Sequence, residues 1–264
     1  MTTIIVPTDL SQVADNAARY AAQMIKGVYD VHFILYHVYE NDEEKETATI
    51  LLDRLKDELQ ANHSIKVETH MEEGGDFIDS LEKQARHLDA QLIVMGITGK
   101  TGKSKIEQAL MGSNTLKMIE KNVCPILVIP ATAQYFEVKN VCLLSDFKDV
   151  QNSMPDVPIK NVLDLFRPAL HIVNVNSEHY VSLTSEFMTE RSRLLDMFKG
   201  YKPEFYFIGT FDLVDTVQTF VAYKNIDMLI TVPRNHSFFG NLFKTSKTKQ
   251  LVYESTIPIL AAHE

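Results

Sequence analysis

The sequence of 264 residues contains no tryptophan and only two cysteines, Cys124 and Cys142, both inside apolar runs. Two cysteines so placed exclude a disulfide-rich scaffold and favour small core residues over a thiolate metal site. The nine histidines show no zinc-type spacing with the cysteines, and we interpret His37, within a strand-like run, as a packed polar residue. We therefore predict no metal site.

Long apolar runs and an excess of positive charge are also missing. No run is long enough to span a bilayer, so we predict no association with membranes. The 26 Lys and Arg residues against 35 Asp and Glu give a net charge of −9, which argues against nucleic-acid binding. The first residues, MTTIIVPTDLS, enter a strand-like run without the basic and apolar segments of a secretory signal, so we expect a cytoplasmic protein.

The chain carries an internal repeat, which bears directly on the fold. Three pairs of strand-like runs share a separation of 137 residues: IIVPTDLS with VCLLSDFK, ILYHVYE with HIVNVNSE, and LIVM with LITV. The paired positions are Asp9 and Asp146, Val38 and Val175, and Leu92 and Leu229.

The last strand-like run of each half shows a shorter separation. Pro125 in CPILVIP and Pro258 in IPILAAH lie 133 residues apart, so the second half has four fewer residues before this strand. We predict a first domain over residues 1–131, a connection over 132–138 and a second domain over 139–264.

Apolar, β-rich runs alternate in both halves with runs of helical periodicity. The strand-like runs are almost continuously apolar, as in parallel sheets whose two faces are covered by helices. We predict an α/β fold with two tandem, doubly wound, open parallel-sheet domains of the Rossmann-like type, each with five strands.

The run GITGKTGKSKIEQALMGSN, residues 96–114, is rich in glycine and lysine, as phosphate-binding loops are. It does not match the P-loop pattern Gly-x4-Gly-Lys-Ser/Thr. With Gly102-Lys103-Ser104 as its end, the first glycine would fall on Ile97, and with Gly99-Lys100-Thr101 it would fall on Val94. An extra residue would redirect the N–H groups of the loop, so we set the P-loop aside.

Ligands of open parallel sheets bind beyond the carboxyl ends of the strands, near the topological switch point. Asp9, after Pro7 and Thr8, either accepts hydrogen bonds from a sugar hydroxyl or turns the chain and caps the next helix. Val38 follows LYH, where its backbone could meet the edge of a base. Gly112-Ser113-Asn114 precedes the helix-like TLKMIEKN. The N–H groups in the first turn of this helix could bind an anion, or Ser113 could simply cap the helix.

Together these segments resemble the universal stress protein family. Its nucleotide-binding members carry Gly-x2-Gly-x9-Gly-Ser/Thr between the fourth strand and the last helix, and Gly99, Gly102 and Gly112-Ser113 fit this spacing. The order VPTD, LYHV, VMG and CPILVIP fits as well. The resemblance covers residues 1–131, whereas residues 139–264 follow the layout without the motif, which implies a tandem member with a degenerate second domain.

The sequence leaves two alternatives for the pair of glycines that would form the turn around the phosphate. In the family the first motif glycine usually follows the fourth strand directly, as Gly96 does. Gly96 and Gly99 then form the pair, with twelve residues before Gly112; otherwise Gly99 and Gly102 form it.

By this resemblance the ligand is ATP or another adenine nucleotide, with or without Mg²⁺. The residues expected to line the adenosine are Pro7, Thr8, Asp9, Val38 and Met95. Those expected to hold the phosphates are Gly96, Gly99, Gly102, Gly112, Ser113 and Asn114.

We predict a nucleotide-binding regulatory protein of the stress response, acting through its first domain, as a homodimer with an unidentified protein partner. The alternative is a non-catalytic scaffold without a functional nucleotide site. Hydrolysis needs a positioned base and a metal-binding carboxylate, and Asp9 is the one carboxylate that the sequence places in the pocket. We therefore predict at most slow ATP hydrolysis.

The second half lacks the features that a phosphate needs. Aligning Pro258 with Pro125 places Thr245-Ser246 opposite Gly112-Ser113, and Pro233 falls opposite Gly96. The shortened loop also carries Phe238-Phe239. We therefore predict one nucleotide per chain, bound by the first half.

Overall fold

The computed structural model describes residues 2–98, 114–176, 184–209, 213–233 and 255–263. The chain divides into two compact units, Met1–Tyr135 (unit 1) and Phe136–Glu264 (unit 2). This boundary lies inside the connection predicted over 132–138. Both units contain an open sheet of parallel strands with helices between them, which confirms the predicted α/β class.

Unit 1 has the strand order β3-β2-β1-β4-β5, with every adjacent pair parallel. Its elements are β1 (Thr2–Pro7), α1 (Gln12–Met24), β2 (Val31–Tyr39), α2 (Asp42–His63), β3 (Val67–Glu73), α3 (Phe77–His87), β4 (Leu92–Ile97), α4 (helical over the described residues 114–120) and β5 (Ile126–Pro130).

Side-chain caps and apolar stripes define the helices of unit 1. Ser11 caps α1 by accepting the N–H of Ala14 (3.2 Å), and Asn41 caps α2 by accepting the N–H of Glu44 (2.9 Å). The alanine stripe of α1 is buried, as its periodicity predicts. In α2, Leu52 is buried, whereas its neighbour Leu51 is 41% exposed.

Unit 2 has the strand order β10-β9-β6-β7-β8, again with parallel neighbours. Its elements are β6 (Asn140–Leu144), α5 (Val150–Ser153), α6 (Asp156–Phe166), β7 (Ala169–Asn176), α7 (Ser185–Met197), β8 (Glu204–Gly209), α8 (Leu213–Lys224), β9 (Met228–Thr231) and β10 (Ile259–Ala261).

A proline splits the first helical segment of unit 2, where the repeat predicts one helix. Met154 is extended (ψ 111°) and precedes Pro155, which separates α5 from α6. Proline has no N–H to donate and disfavours helical geometry in the residue before it. The segment corresponding to α1 is therefore two short helices.

Strand register shows where the repeat holds and where it slips. Val6 pairs with Leu35 and Leu143 pairs with Ile172, so β1–β2 and β6–β7 keep the separation of 137. The separation predicted for β4 and β9 is wrong by one residue. Ile4 pairs with Leu92, whereas Val141 pairs with Met228. Counting on from Met228 puts Val232, and not Pro233, at the position of Gly96.

Both cysteines are buried, which confirms them as core residues. Burial raises the pKa of the Cys124 thiol to about 12 and raises the pKa of Cys142 as well. Among the described residues, no group of three or more His, Cys, Asp or Glu side chains is placed to hold a metal ion. In the same part of the chain, no helix has the length and apolar character needed to cross a bilayer.

Two histidines lie inside unit 2. His171 on β7 is 6% exposed and lies between the rings of Tyr206 and Phe220, and His263 after β10 is 5% exposed. Burial lowers the pKa of both rings, to about 4 for His263. Both therefore favour the neutral form in the folded protein.

The buried His263 predicts acid sensitivity. The pKa of His263 is lower in the folded than in the unfolded chain. Its contribution to the free energy of unfolding is therefore complete above pH 6.5. As the pH drops toward 4, the free energy of unfolding falls by about 3 kcal/mol. Denaturant unfolding at a series of pH values should show this loss in the native protein and a shallower loss in H263L. The control is H87N, which removes an exposed histidine and leaves the buried His263 in place. Equal slopes in the native protein and H263L would contradict the assignment.

Candidate functional site

The predicted adenosine residues of unit 1 lie on three neighbouring strands. Pro7 ends β1, Val38 lies near the end of β2, and Met95 and Gly96 lie near the end of β4. Because β1 lies between β2 and β4 and all three are parallel, these positions share one edge of the sheet. The chain reverses direction across the sheet between β1 and β4, so this edge is the topological switch point.

The turn after β1 is held by its own side chains. Thr8 is 2% exposed, and its hydroxyl accepts the N–H of Leu10 (2.9 Å). Asp9 is exposed, and its Oδ1 accepts the N–H of Ser11 (3.1 Å). Leu10 has φ 63°, a left-handed conformation that these short polar side chains stabilise. Asp9 therefore serves the turn while its carboxylate stays accessible at the edge.

His37 on β2 fixes the carbonyl of this turn. Its Nδ1 lies 2.8 Å from the oxygen of Thr8, and the ring is 4% exposed. A carbonyl oxygen only accepts, so Nδ1 carries a proton and donates it to Thr8. Nε2 is buried without a hydrogen-bond partner among the described residues. The interpretation of His37 as a packed polar residue is confirmed, with the added role of holding Thr8.

Gly96 is the point where β4 touches the beginning of α1. A Cβ built on Gly96 would lie 2.6 Å from the carbonyl oxygen of Val13 and 2.8 Å from its Cγ1. On the other side, the hydroxyl of Thr115 in α4 donates to the carbonyl of Gly96 (3.1 Å). Two helices are thus fitted to the end of β4 at a position that accommodates only glycine.

The described part of this edge is acidic. Asp15 in the first turn of α1 has a raised pKa, chiefly because of burial; Arg19 opposes the shift, and the charges of Glu58 and Asp9 add to it. Arg19 is itself bound to Glu58 (2.6 Å). An anionic ligand here would need cations from elsewhere, and three lysines of the glycine-rich run, Lys100, Lys103 and Lys105, lie outside the described residues.

Several predicted residues cannot be placed in the site. The phosphate-loop positions Gly99, Gly102, Gly112 and Ser113 lie outside the described residues, as do Phe238-Phe239 and Thr245-Ser246. Asn114 is half-buried in α4. Leu116 and Ile119 of this helix are 6% and 1% exposed, so they form its buried side.

The same turn recurs after β6 in unit 2. The hydroxyl of Ser145 accepts the N–H of Phe147 (3.2 Å), Asp146 Oδ1 accepts the N–H of Lys148 (3.2 Å), and Phe147 has φ 55°. The amide of Asn174 donates to the carbonyl of Ser145 (3.1 Å), as His37 does to that of Thr8. These residues are separated from their unit 1 counterparts by 137 positions.

Different side chains surround the second turn. Phe147 is 3% exposed and stacks on Phe187 with ring centroids 5.1 Å apart. Phe205 and Phe207 approach it edge-on at 6.0 and 5.8 Å. At the beginning of α5, the buried carboxylate of Glu190 accepts the N–H of Val150 (2.7 Å). Unit 2 therefore fills this region with four phenylalanines and an internal anion.

His37, Asn174 and Glu190 were not predicted as part of the site. The separation of 137 places Asn174 opposite His37. The available signal was therefore a side chain that can donate a hydrogen bond at the same position of the second strand-like run in both halves. Glu190 gave none, because its partner Val150 lies on another helix 40 residues away.

Residues 1–130 match the universal stress protein family. A universal stress protein of Methanocaldococcus jannaschii is 30% identical over 143 residues, which cover 48% of this chain and 80% of the relative.

One solved structure with the same fold extends over both units. A universal stress protein of Archaeoglobus fulgidus is 16% identical and has a TM-score of 0.72, covering 99% of this chain and 96% of its own. A universal stress protein in complex with cAMP is 22% identical and covers 49% of this chain and 97% of its own. Its TM-score of 0.41 is too low to bear on the ligand of this chain.

The contact at Gly96 predicts a clear cost for a single added methyl group. G96A should lower the free energy of unfolding by about 1–3 kcal/mol, because the Cβ meets main-chain atoms of Val13 that cannot rotate away. G200A is the matched control, since its Cβ meets nothing within 4 Å, and it should change the value by less than about 0.5 kcal/mol. Equal effects in denaturant titrations would show that the approach of α1 is not tight.

The repeat supplies a test of the bond from His37 to Thr8. H37L leaves the buried carbonyl without its donor and should cost about 1–3 kcal/mol. H37N carries the side chain that unit 2 uses at Asn174, and it should restore most of this loss. Urea unfolding measures both, and an H37N variant as unstable as H37L would contradict the role of the bond.

Proposed function

Because this chain belongs to the universal stress protein family, we propose that it is an adenine-nucleotide-binding regulatory protein of the stress response that binds its ligand through unit 1. The observation that carries the proposal is the edge formed by β1, β2 and β4. There Thr8 and Asp9 follow β1, and Gly96 lies near the end of β4, shortly before the sequence positions of Gly99, Gly102, Gly112 and Ser113.

The adenosine part of the ligand would bind at the carboxyl ends of β1 and β2. The carboxylate of Asp9 is exposed and held by its own turn, so it can accept hydrogen bonds from ribose hydroxyls. Val38 is half-buried, and its backbone could form hydrogen bonds with the edge of the base. Met95 is 5% exposed and would provide an apolar surface under the base. Pro7 ends β1 and Thr8 begins this turn, held by its bonds to Leu10 and His37.

The phosphates suit the side of β4. Gly96 already brings β4 close to α1, and glycines beyond it would let backbone N–H groups approach an anion without steric hindrance. The cluster of Asp9 and Asp15 disfavours a second anion nearby, so Lys100, Lys103 and Lys105, with or without Mg²⁺, would supply the balancing charge. ATP, ADP and AMP would bring different phosphate charges to the carboxyl end of β4.

Regulation by occupancy fits this site better than turnover. Hydrolysis requires a base and a metal carboxylate in position, and Asp9, the carboxylate that the sequence places in the pocket, is assigned here to the ribose hydroxyls. Nucleotide binding would instead change the surface that unit 1 offers to a protein partner. We propose the cytoplasm as the location and a homodimer as the assembly.

We propose that unit 2 binds no nucleotide. The side chain of Val232 stands at the position of Gly96, Phe147 and its aromatic neighbours fill the region beside the turn, and Glu190 supplies an internal anion at the beginning of α5. The turn itself is intact, so its Asp146 is the natural comparison for Asp9.

Calorimetric titration of the whole chain with ATP, ADP, AMP and cAMP tests the proposal. We expect one adenine nucleotide per chain. D9A should weaken its binding by about tenfold or more, whereas the matched variant D146A should leave the affinity within about twofold. G112V should abolish binding with the fold intact, because a branched side chain would occupy the space of a phosphate oxygen.

The other outcomes are equally informative. Two equivalent sites, or equal losses in D9A and D146A, would contradict the assignment to unit 1. The absence of binding for every adenylate, with none released from the denatured purified protein, would favour the scaffold alternative.

A further inference from the structure

The segment that follows β5 is bound to the strand that ends at the candidate site. Residues 131–135, here called the exit segment, lead from the end of β5 to the boundary between the two units. The N–H of Ala131 donates to the carbonyl of Ile97 (3.0 Å), the residue after Gly96 in β4. Because β5 is parallel to β4, the exit segment begins at the same carboxyl edge of the sheet as the candidate site.

One side chain of α1 also binds this region. The Nδ2 of Asn16 lies 3.0 Å from the carbonyl oxygen of Ala133 and 3.4 Å from that of Pro130. A side-chain amide carries two N–H groups, so it can donate to both carbonyls at once. Ala133 is 6% exposed, and its own N–H donates to the carbonyl of Pro130 (2.9 Å). Asn16 therefore holds a tight turn of the exit segment against α1.

A second contact between α1 and the exit segment lies one helical turn further on. Tyr20 is 4% exposed, and its ring meets that of Tyr135 edge-on, with the centroids 5.2 Å apart and the planes at 80°. Asn16 and Tyr20 are four residues apart, so they lie on the same side of α1. The exit segment is therefore bound to α1 at two points.

The same helix begins at the candidate site. Its N-cap, Ser11, donates its N–H to Asp9, and the main chain of Val13 approaches Gly96 so closely that no Cβ fits between them. Asn16 follows Val13 by three residues, less than one helical turn. A displacement of α1 at the exit segment would therefore also move its contacts with Asp9 and Gly96.

Unit 2 uses the equivalent position differently. The separation of 137 places Ser153 opposite Asn16. The hydroxyl of Ser153 donates to the carbonyl of Asp149, at the beginning of its own short helix. The side chain that binds the exit segment therefore belongs to the unit to which we assign the nucleotide.

We propose that Asn16 is a positioning residue that links the nucleotide site of unit 1 to the exit segment. The inference rests on the proposed function, because it takes the ligand to be an adenine nucleotide bound beside Asp9 and Gly96. Such a ligand holds the turn before α1 and the end of β4, and the exit segment is bound to both of these elements. Occupancy of the site therefore stabilises the exit segment, and by reciprocity an intact exit segment strengthens nucleotide binding.

Hydrogen exchange and calorimetry on the full chain, with ATP as the probe, test this link. N16L removes both donated hydrogen bonds and keeps a side chain of similar size. Y135A removes the second contact from the exit segment itself and leaves every residue of α1 in place. S153A is the matched control, because it changes the equivalent position of unit 2.

We expect ATP to slow exchange in peptides covering 131–138 of the native protein and of S153A, but not in those of N16L. N16L and Y135A should each weaken ATP binding by about fivefold or more, and S153A should bind as the native protein does. If N16L does not fold, Y135A decides the matter.

Two results would overturn the link and leave the proposed function standing. In the first, ATP binds and protects residues 4–10 of the native protein, while exchange over 131–138 is unchanged. In the second, Y135A or a folded N16L binds ATP as tightly as S153A does. Failure of the native protein to bind ATP would instead overturn both the link and the function on which it rests.

Discussion

A side-chain hydrogen bond to a carbonyl at the start of the turn after the first strand fixes that turn in each unit. His37 in unit 1 and Asn174 in unit 2 donate to the carbonyls of Thr8 and Ser145. Each turn then places an aspartate at the carboxyl edge and a left-handed residue before the first helix. Without this bond a buried carbonyl would lack a partner, so the position of the aspartate depends on a residue from the neighbouring strand.

The two units keep this scaffold and differ in what surrounds it. In unit 1 the missing side chain of Gly96 lets α1 and α4 close on the end of β4, and Asp9 remains exposed. In unit 2 the side chains of Val232, Phe147 and Glu190 fill the corresponding space. A duplicated fold has thus kept its backbone geometry, while the space available to a ligand differs between the copies.

The sequence predicts the fold well, because continuous apolar strands and a fixed repeat leave few alternative topologies. It predicts the turn after β1 from Thr8 and Asp9, but not the bond from His37, because hydrogen bonds between strands leave no local signature. The alignment of LIVM with LITV hides a slip of one residue, since both registers match apolar residues equally well. Glu190 could not be predicted, because its bond to Val150 joins helices distant in the sequence.

Hydrogen exchange of the whole chain with and without ATP tests the central claim, that the same turn serves a ligand in unit 1 alone. Peptides from 4–16 and 92–120 report on the edge of unit 1, and peptides from 141–153 report on the equivalent edge of unit 2. The account predicts slower exchange on ATP binding in the first set and unchanged exchange in the second. Slowing in both sets, or in neither, would contradict it.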